Sequence, residues 1–339
     1  MRKNNRVSSK DVAREAGVSQ ATVSYVLNNN PNVKIRPETR EDVLRAAKKL
    51  NYHVNYIARN MRLRRSGSIG IVTNTKISNH VFMETLEGIK DTLDERSYSL
   101  TVCFGDYDDI HDAEFIKYYY SNLVDGLIFV FCDLKDEDVK YLEENSIPHV
   151  TVNANTLESS QHQIKTDMKK ACVDAVADLV AGGCGSVGYI GQYAGDQDSV
   201  RFSSFVEAMK ENKLEIVPEF IHKAKGKEGE VESQVAEYVS RDNLPQGIIC
   251  DSILSGFFTM RHLQKAGKNI PNDVSVVLLG TSVFNKRIYP AFSAVEAPLY
   301  TLGVRGSRYL FEILDQGSTA INENIVIEWS YNKRESTRS

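Results

Sequence analysis

"AGVSQATVSYVLNN", residues 16–29, decides how the chain is read. Its glycine stands between two short stretches of helical periodicity. Gly17 supplies the left-handed residue that ends a first helix over 9–16, which Ser8 or Ser9 can cap. Ser19 can cap a second helix over 20–28, and Pro31 stops that helix from continuing. Val12, Ala13, Ala16, Val18, Val23, Val26 and Leu27 form the apolar set of the pair. Gln20, Ala21, Ser24 and Tyr25 lie outward on the second helix and are not the residues of a core-facing surface. A third helix starts at "RPETRED" (36–42), with Pro37 in the first turn and acidic residues beside it. Its stripe of Val43, Leu44, Ala47 and Leu50 has the three–four spacing of a buried face. Three short helices with a tight turn between the first two read as an all-α helix-turn-helix domain. The second helix of such a domain enters the major groove of DNA.

The charge distribution points the same way. The net charge of −4 hides an asymmetry: residues 1–66 hold 15 Lys and Arg against 5 Asp and Glu, a balance of +10. The remaining residues hold 26 against 40, a balance of −14. A basic arm on an acidic body suits a nucleic-acid partner better than a merely solvated tail. The five cysteines are odd in number, far apart and never spaced C-x-x-C, which argues against a disulfide framework and a zinc site. The first residues lack the apolar core of a signal peptide, and no apolar run reaches the roughly 20 residues that span a bilayer. The expectation is a cytoplasmic protein without membrane contact.

Past residue 67 the pattern changes to short apolar strands alternating with helices. "SIGIVTN" (68–74), "SLTVCFG" (99–105), "DGLIFVF" (125–131) and "PHVTVNA" (148–154) are strands separated by helical stretches. The cycle restarts with the helix "KKACVDAVADLVAGG" (169–183) and the strands "SVGYIG", "EFIHKA", "GIICD" and "VSVVLLG", again with helices between them. This alternation implies an α/β body of two doubly wound lobes with parallel sheets, and a ligand crevice at the carboxyl ends of the strands. "GCGSVG" (183–188) spells the dinucleotide-binding fingerprint, but there a helix precedes and a strand follows, the reverse of what pyrophosphate binding needs. No cofactor is expected. No nucleophile elbow, phosphate loop or metal-ligand spacing appears, the seven histidines are scattered, and Cys184 lacks a local histidine partner. An enzyme is not expected.

Three blocks in order, "KDVAREAGVSQATVSYVLNN", "RPETREDVLRAAKKLNY" and "VNYIARNMRLRRSGSIGIV", resemble the LacI/GalR family of bacterial transcription regulators. The likeness runs on to the final "NKRESTRS". It implies a helix-turn-helix domain over 1–53, a hinge over 54–67 and a periplasmic-binding-protein-like body over 68–331, with a tail over 332–339. Within the body it implies a first lobe over about 68–164 and 297–322, and a second over about 165–296 and 323–331.

The resemblance assigns Gln20, Ala21 and Tyr25 to reading base edges, and Ser19, Thr22, Ser24, Asn28, Thr39 and Asn55 to phosphates. Tyr25 departs from the arginine usual in the family. It cannot form the bidentate fork to guanine, so a different base is expected opposite it. In the hinge, Ile57, Ala58, Arg59 and Met61 are expected at the minor groove, Met61 as the wedge between base pairs.

For the effector cleft the resemblance points to Asn79, Phe82, Asn153, Arg201, Asp251, Gly280 and Glu296. "VVLLGT" (276–281) lacks the aspartate that grips sugar hydroxyls in relatives, because Gly280 stands in its place, and Cys250 replaces a common asparagine. An ordinary neutral sugar is therefore disfavoured as effector, since each hydroxyl needs a fixed partner. The expected function is a sequence-specific regulator acting as a repressor. It would be a homodimer on double-stranded DNA with a near-palindromic operator, controlled by a small molecule or a protein corepressor. The alternative is a solute-binding protein of the same body fold, which the basic N-terminal region disfavours.

Overall fold

The computed structural model describes residues 7–27, 33–52, 65–153, 162–316 and 324–339. The chain divides into two compact units, one up to Ser66 and one from Gly67 onward.

In the first unit, α1 (Ser9–Glu15), α2 (Gln20–Leu27) and α3 (Pro37–Lys49) surround one small core. Ser8 is the N-cap of α1, its amide and hydroxyl both donating to the Asp11 carboxylate at 2.9 and 2.6 Å. These bonds hold the Asp11 carboxyl below its ordinary range, the Ser8 hydroxyl being the main cause. Gly17 follows α1 with φ +67°, the conformation expected from the sequence. Val12, Val23, Val26 and Val43 are fully or almost fully buried in the core with Ala13, Ala46 and Ala47. Leu44 is a correction: it is half exposed, and Ala46 takes the inward place. The face of α3 that packs inward is 43, 46, 47 and 50, the i, i+3, i+4, i+7 set, which rotates position 44 out. Lys49 of α3 reaches Glu15 of α1 at 2.6 Å.

The second unit holds two sheets, each of six strands among the described residues. The first sheet contains β1 (Ser68–Thr73), β2 (Ser99–Phe104), β3 (Leu127–Val130), β4 (His149–Val152), β5 (Gln163–Asp167) and β11 (Ile325–Glu328), in the order β11-β5-β4-β3-β1-β2. The second contains β6 (Val187–Gly191), β7 (Ile221–Lys223), β8 (Gly247–Cys250), β9 (Ser275–Leu279), β10 (Ser293–Glu296) and β12 (Ser330–Asn332), in the order β12-β10-β9-β8-β6-β7. All pairings are parallel except β10 with β12.

Alternation along each strand explains the continuous apolar runs. In β3, Ile128 and Val130 join the core on one face of the sheet, while Leu127 and Phe129 join the core on the other. In β9, Val277 and Leu279 divide from Val276 and Leu278 in the same way. Strands buried on both faces must be apolar at every position. One face of the first sheet is covered by α4 (His80–Glu95) and α11 (Leu299–Gln316), which approach closely through two glycines. A Cβ on Gly88 would stand 2.1 Å from the Tyr300 carbonyl oxygen, and one on Gly303 would stand 2.0 Å from that of Thr85.

Three boundaries differ from the sequence reading. β5 and β11 pair with each other in register from Ile325↔Ile164 to Glu328↔Asp167, so 325–328 belongs to the first lobe and not the second. The chain returns to the second lobe only at β12. Residues 332–339 are not a free tail: Ser336 and Thr337 are buried, and Ser336 Oγ donates to the Val276 carbonyl at 2.6 Å. Gly67, counted with the hinge from sequence, is fixed to the body by its N–H to Asp125 Oδ2 at 2.9 Å. The dinucleotide-like "GCGSVG" lies between the end of α7 (Lys169–Ala181) and β6, as the order of elements required. Cys184 within it is buried, which pushes its thiol pKa up.

Candidate nucleic-acid interface and effector cleft

In the first unit, the buried Val23 and Val26 orient α2, because residues three apart share a face. Gln20, Ala21 and Tyr25 are exposed, Tyr25 with 38% of its surface in solvent. Ser19 precedes α2 and its Oγ accepts the Thr22 N–H at 3.0 Å and meets the Thr22 hydroxyl at 2.8 Å. Thr22, Ser24 and Thr39 are half-buried. The outward surface of α2 therefore begins with an amide and continues with a methyl and a phenol, three different ways of meeting a base edge. Gln20 Nε2 donates to Ser9 Oγ at 2.7 Å, a contact invisible to sequence reading because its partners are eleven residues apart. Asn28, Asn55, Ile57, Ala58, Arg59 and Met61 lie outside the described residues.

In the second unit the candidate cleft residues divide by lobe. Asn79 is the N-cap of α4, its Oδ1 accepting the Val81 N–H at 2.9 Å. Asn153 follows β4 with φ +48° and accepts from the Thr166 hydroxyl at 2.9 Å. Phe82 is a correction: its ring is fully buried in the first-lobe core with Ile69, Ile71 and Ile89, because α4 turns position 82 to the sheet.

Arg201, near the start of α8 (Val200–Glu211), donates from Nη1 to the carbonyls of Asp251 at 3.0 Å and Leu279 at 2.5 Å. It thereby ties together the carboxyl ends of β8 and β9, and its guanidinium centre lies 5.6 Å from the Trp329 ring. Arg201 and Asp251 both belong to the second lobe and do not bridge the lobes. The Asp251 carboxylate is buried, and its Oδ2 accepts the Tyr193 N–H at 2.9 Å and the Tyr189 hydroxyl at 3.4 Å. Burial raises its pKa, opposed by the Tyr193 N–H and the Arg201 charge. Gly191 is required beneath it: a Cβ there would stand 1.8 Å from Asp251 Oδ1. Asp251 thus fastens the loop after β6.

Glu296, at the end of β10, is also engaged. Its Oε2 accepts from Arg334 Nη2 and Asn332 Nδ2, both at 2.6 Å, and its Oε1 accepts from Asn285 Nδ2 at 2.9 Å. Gly280 is buried, yet a Cβ there would find nothing nearer than Ile253 at 3.7 Å. His80 of the first lobe donates from Nε2 to the carbonyl of Thr281 in the second, a direct bond between lobes that the sequence did not signal. Nearby, burial raises the Glu84 pKa, opposed by His80 and reinforced by Glu296. The polar groups at the strand ends thus mostly bind one another and the backbone, Asp251 Oδ1 and Asn285 Oδ1 being buried without a partner among the described residues, and position 280 offers no side chain at all. Among the described residues, no group of three or more His, Cys, Asp or Glu could hold a metal ion, and no helix is long and apolar enough to cross a membrane.

Residues 9–55 match the family described as bacterial regulatory proteins, lacI family, and residues 176–337 match the periplasmic binding protein-like domain. The chain is 29% identical to the HTH-type transcriptional regulator RegA of Clostridium saccharobutylicum over 97% of its own length and 99% of that protein's. It is 28% identical to catabolite control protein A of Staphylococcus xylosus, covering 90% of this chain and 92% of the relative. Its fold is similar to that of the lac repressor dimer bound to operator and the anti-inducer ONPF, with a TM-score of 0.76 at 21% identity over 99% of this chain and 100% of that one. It is similar also to the regulator CelR in complex with cellobiose, with a TM-score of 0.65 at 24% identity over 98% and 100% of the two chains. With a lacI-family match over its helix-turn-helix head and a periplasmic binding protein-like match over its body, the chain is built as the lacI-family transcriptional regulators are.

Proposed function

We propose that this regulator is a repressor whose dimer reads a near-palindromic operator through Gln20, Ala21 and Tyr25, and whose effector is not an ordinary neutral sugar. The operator reading is carried by α2, which buries Val23 and Val26 and leaves those three side chains in solvent. Ser19, Thr22, Ser24 and Thr39 stand beside them as phosphate partners, which position the helix without reading sequence. Two copies related by a twofold axis meet two half-sites, so the selected sequence should be near-palindromic.

The effector reading is carried by position 280, where no side chain is present, and by the engagement of Arg201, Asp251 and Glu296 with groups of their own lobe. A neutral sugar needs several fixed donors and acceptors for its hydroxyls, and this cleft supplies few that are uncommitted. A more apolar or an anionic small molecule fits better. Such a ligand changes operator affinity only by binding one arrangement of the lobes more tightly than the other.

Selection of binding sites from random DNA duplexes, without added effector and at two salt concentrations, tests the operator reading. Enrichment of a near-palindrome supports a repressor competent alone. Salt-sensitive binding with no enriched sequence means that only phosphate contacts remain and that a corepressor is required. For the effector, a thermal-shift series compares neutral sugars with small anions on the wild type and on Gly280→Asp, whose Cβ would meet Ile253 and Leu278 only at ordinary contact distances of 3.7 and 3.9 Å. Strong stabilisation of the wild type by neutral sugars would overturn the effector reading.

A further inference from the structure

In the head, α1 and α2 are joined at their beginnings by a polar contact, Gln20 Nε2 donating to Ser9 Oγ at 2.7 Å. Neither residue is needed elsewhere for capping. Ser8 is the N-cap of α1, with Asp11 as its partner, and Ser19 serves the first turn of α2 through Thr22. The Ser9 hydroxyl is therefore available to the Gln20 amide, and the structure shows it so used.

We propose that Ser9 is a positioning residue that sets the base preference of Gln20, turning its amide toward adenine. The inference rests on the reading that Gln20 meets a base edge in the major groove. A primary amide carries one acceptor oxygen and two N–H donors. Ser9 takes one of those donors. What is left facing outward is one acceptor beside one donor. That pair matches adenine, whose major-groove edge offers the N6 amino donor beside the N7 acceptor. Guanine presents two acceptors and would need both N–H groups, one of which Ser9 holds. Cytosine and thymine each engage only half of the pair. The tether also restricts the rotamers of a long exposed side chain before DNA arrives, so less freedom is lost on binding.

Binding-site selection with the full chain, run in parallel on wild type, Ser9→Ala, Ser9→Thr and Gln20→Ala, tests this, with the melting temperature of each recorded. The wild type should enrich adenine at one position of each half-site. Ser9→Ala should lower that enrichment about threefold, the scale of one hydrogen bond, with the other positions and the melting temperature unchanged. Ser9→Thr, which keeps the hydroxyl, should restore the preference. Three outcomes overturn the tether: a base other than adenine at the position that Gln20→Ala alters, a Ser9→Ala selection identical to wild type, or a uniform weakening with a lower melting temperature, which is a purely structural effect. If Gln20→Ala leaves the selected sequence unchanged, or the wild type enriches none, the reading of Gln20 as a base reader fails instead.

Discussion

The head and the cleft use their polar side chains in opposite ways. On the outward face of α2, Ala21 and Tyr25 stand in solvent and Gln20 is held by a single neighbouring hydroxyl. At the strand ends of the second lobe, Arg201 bonds two carbonyls, Asp251 holds the loop after β6, and Glu296 is shared among Arg334, Asn332 and Asn285. A surface that meets a large external partner leaves groups uncommitted. A cleft whose polar groups largely satisfy one another, with Asp251 Oδ1 and Asn285 Oδ1 left buried without a partner among the described residues, has fewer groups to offer a hydroxyl-rich ligand. The glycines show the same contrast. Gly17 has φ +67° with nothing within 4 Å of a would-be Cβ, so its reason is its own backbone. Gly303 is needed because another helix lies against it.

The largest expected effect breaks the body and spares the head. Gly303→Ala drives a methyl into the Thr85 backbone, which cannot move as a flexible side chain could, and should cost the body at least about 3 kcal/mol. Chemical denaturation should show the body's transition moving while the head's helical signal keeps its midpoint.

Acid should separate the two regions next. His149 is buried in the first lobe, its Nδ1 bonded to the Ile147 carbonyl, and burial depresses its pKa from 6.5 to about 4. The unfolded chain therefore takes up this proton at a higher pH than the folded body does. The contribution is fully present above pH 6.5 and is lost as the pH falls toward 4, about 3 kcal/mol in all. No histidine occurs among the described residues of the head. Urea titrations of the wild type between pH 7 and 4.5 should show this loss in the body alone, and His149→Gln should flatten it. An unchanged slope in the variant would remove His149 as the cause.

Tyr25→Arg sharpens the head's side of the comparison. It replaces one hydroxyl with a guanidinium fork and should raise preference for guanine at the facing base about tenfold, within the range of a bidentate contact. Binding-site selection reads this directly, and an unchanged base refutes the placement of residue 25. The smallest effect is Gly17→Ala, which meets no atom but must adopt a left-handed conformation. It should cost the head about 1 kcal/mol and leave the body's transition where it was.

What was legible follows range in sequence. The head's turn, the buried Val23 and Val26 and the outward Gln20 and Tyr25 all follow from helical period over a few residues. The fully buried strands β1, β3, β4, β6, β8 and β9 were legible as apolar runs, because a sheet covered on both faces is apolar at every position. Leu44 was misplaced because two neighbouring apolar residues on a short helix fit a stripe equally well until the third helix is docked. β5 (163–167) and β11 (325–328) were missed or misassigned: "QIKTD" and "IVIE" carry charges and are only partly buried, as the last two strands on one side of the first sheet. Phe82 was read toward the cleft because a ring near a strand–helix junction suits a ligand as well as a core.

By itself, then, the sequence determined the helix-turn-helix head, the two-lobed α/β body and the loss of a carboxylate at position 280, all properties of one residue or of a local repeat. Only the tertiary structure decided that β11 closes the first sheet, that the last residues pack into the second lobe, and that Arg201 and Glu296 are already engaged. Those outcomes depend on partners as far apart as Arg201 and Leu279, or Glu296 and Arg334. Hydrogen bonds and close packing are settled by distance in space, and no local pattern along the chain records it.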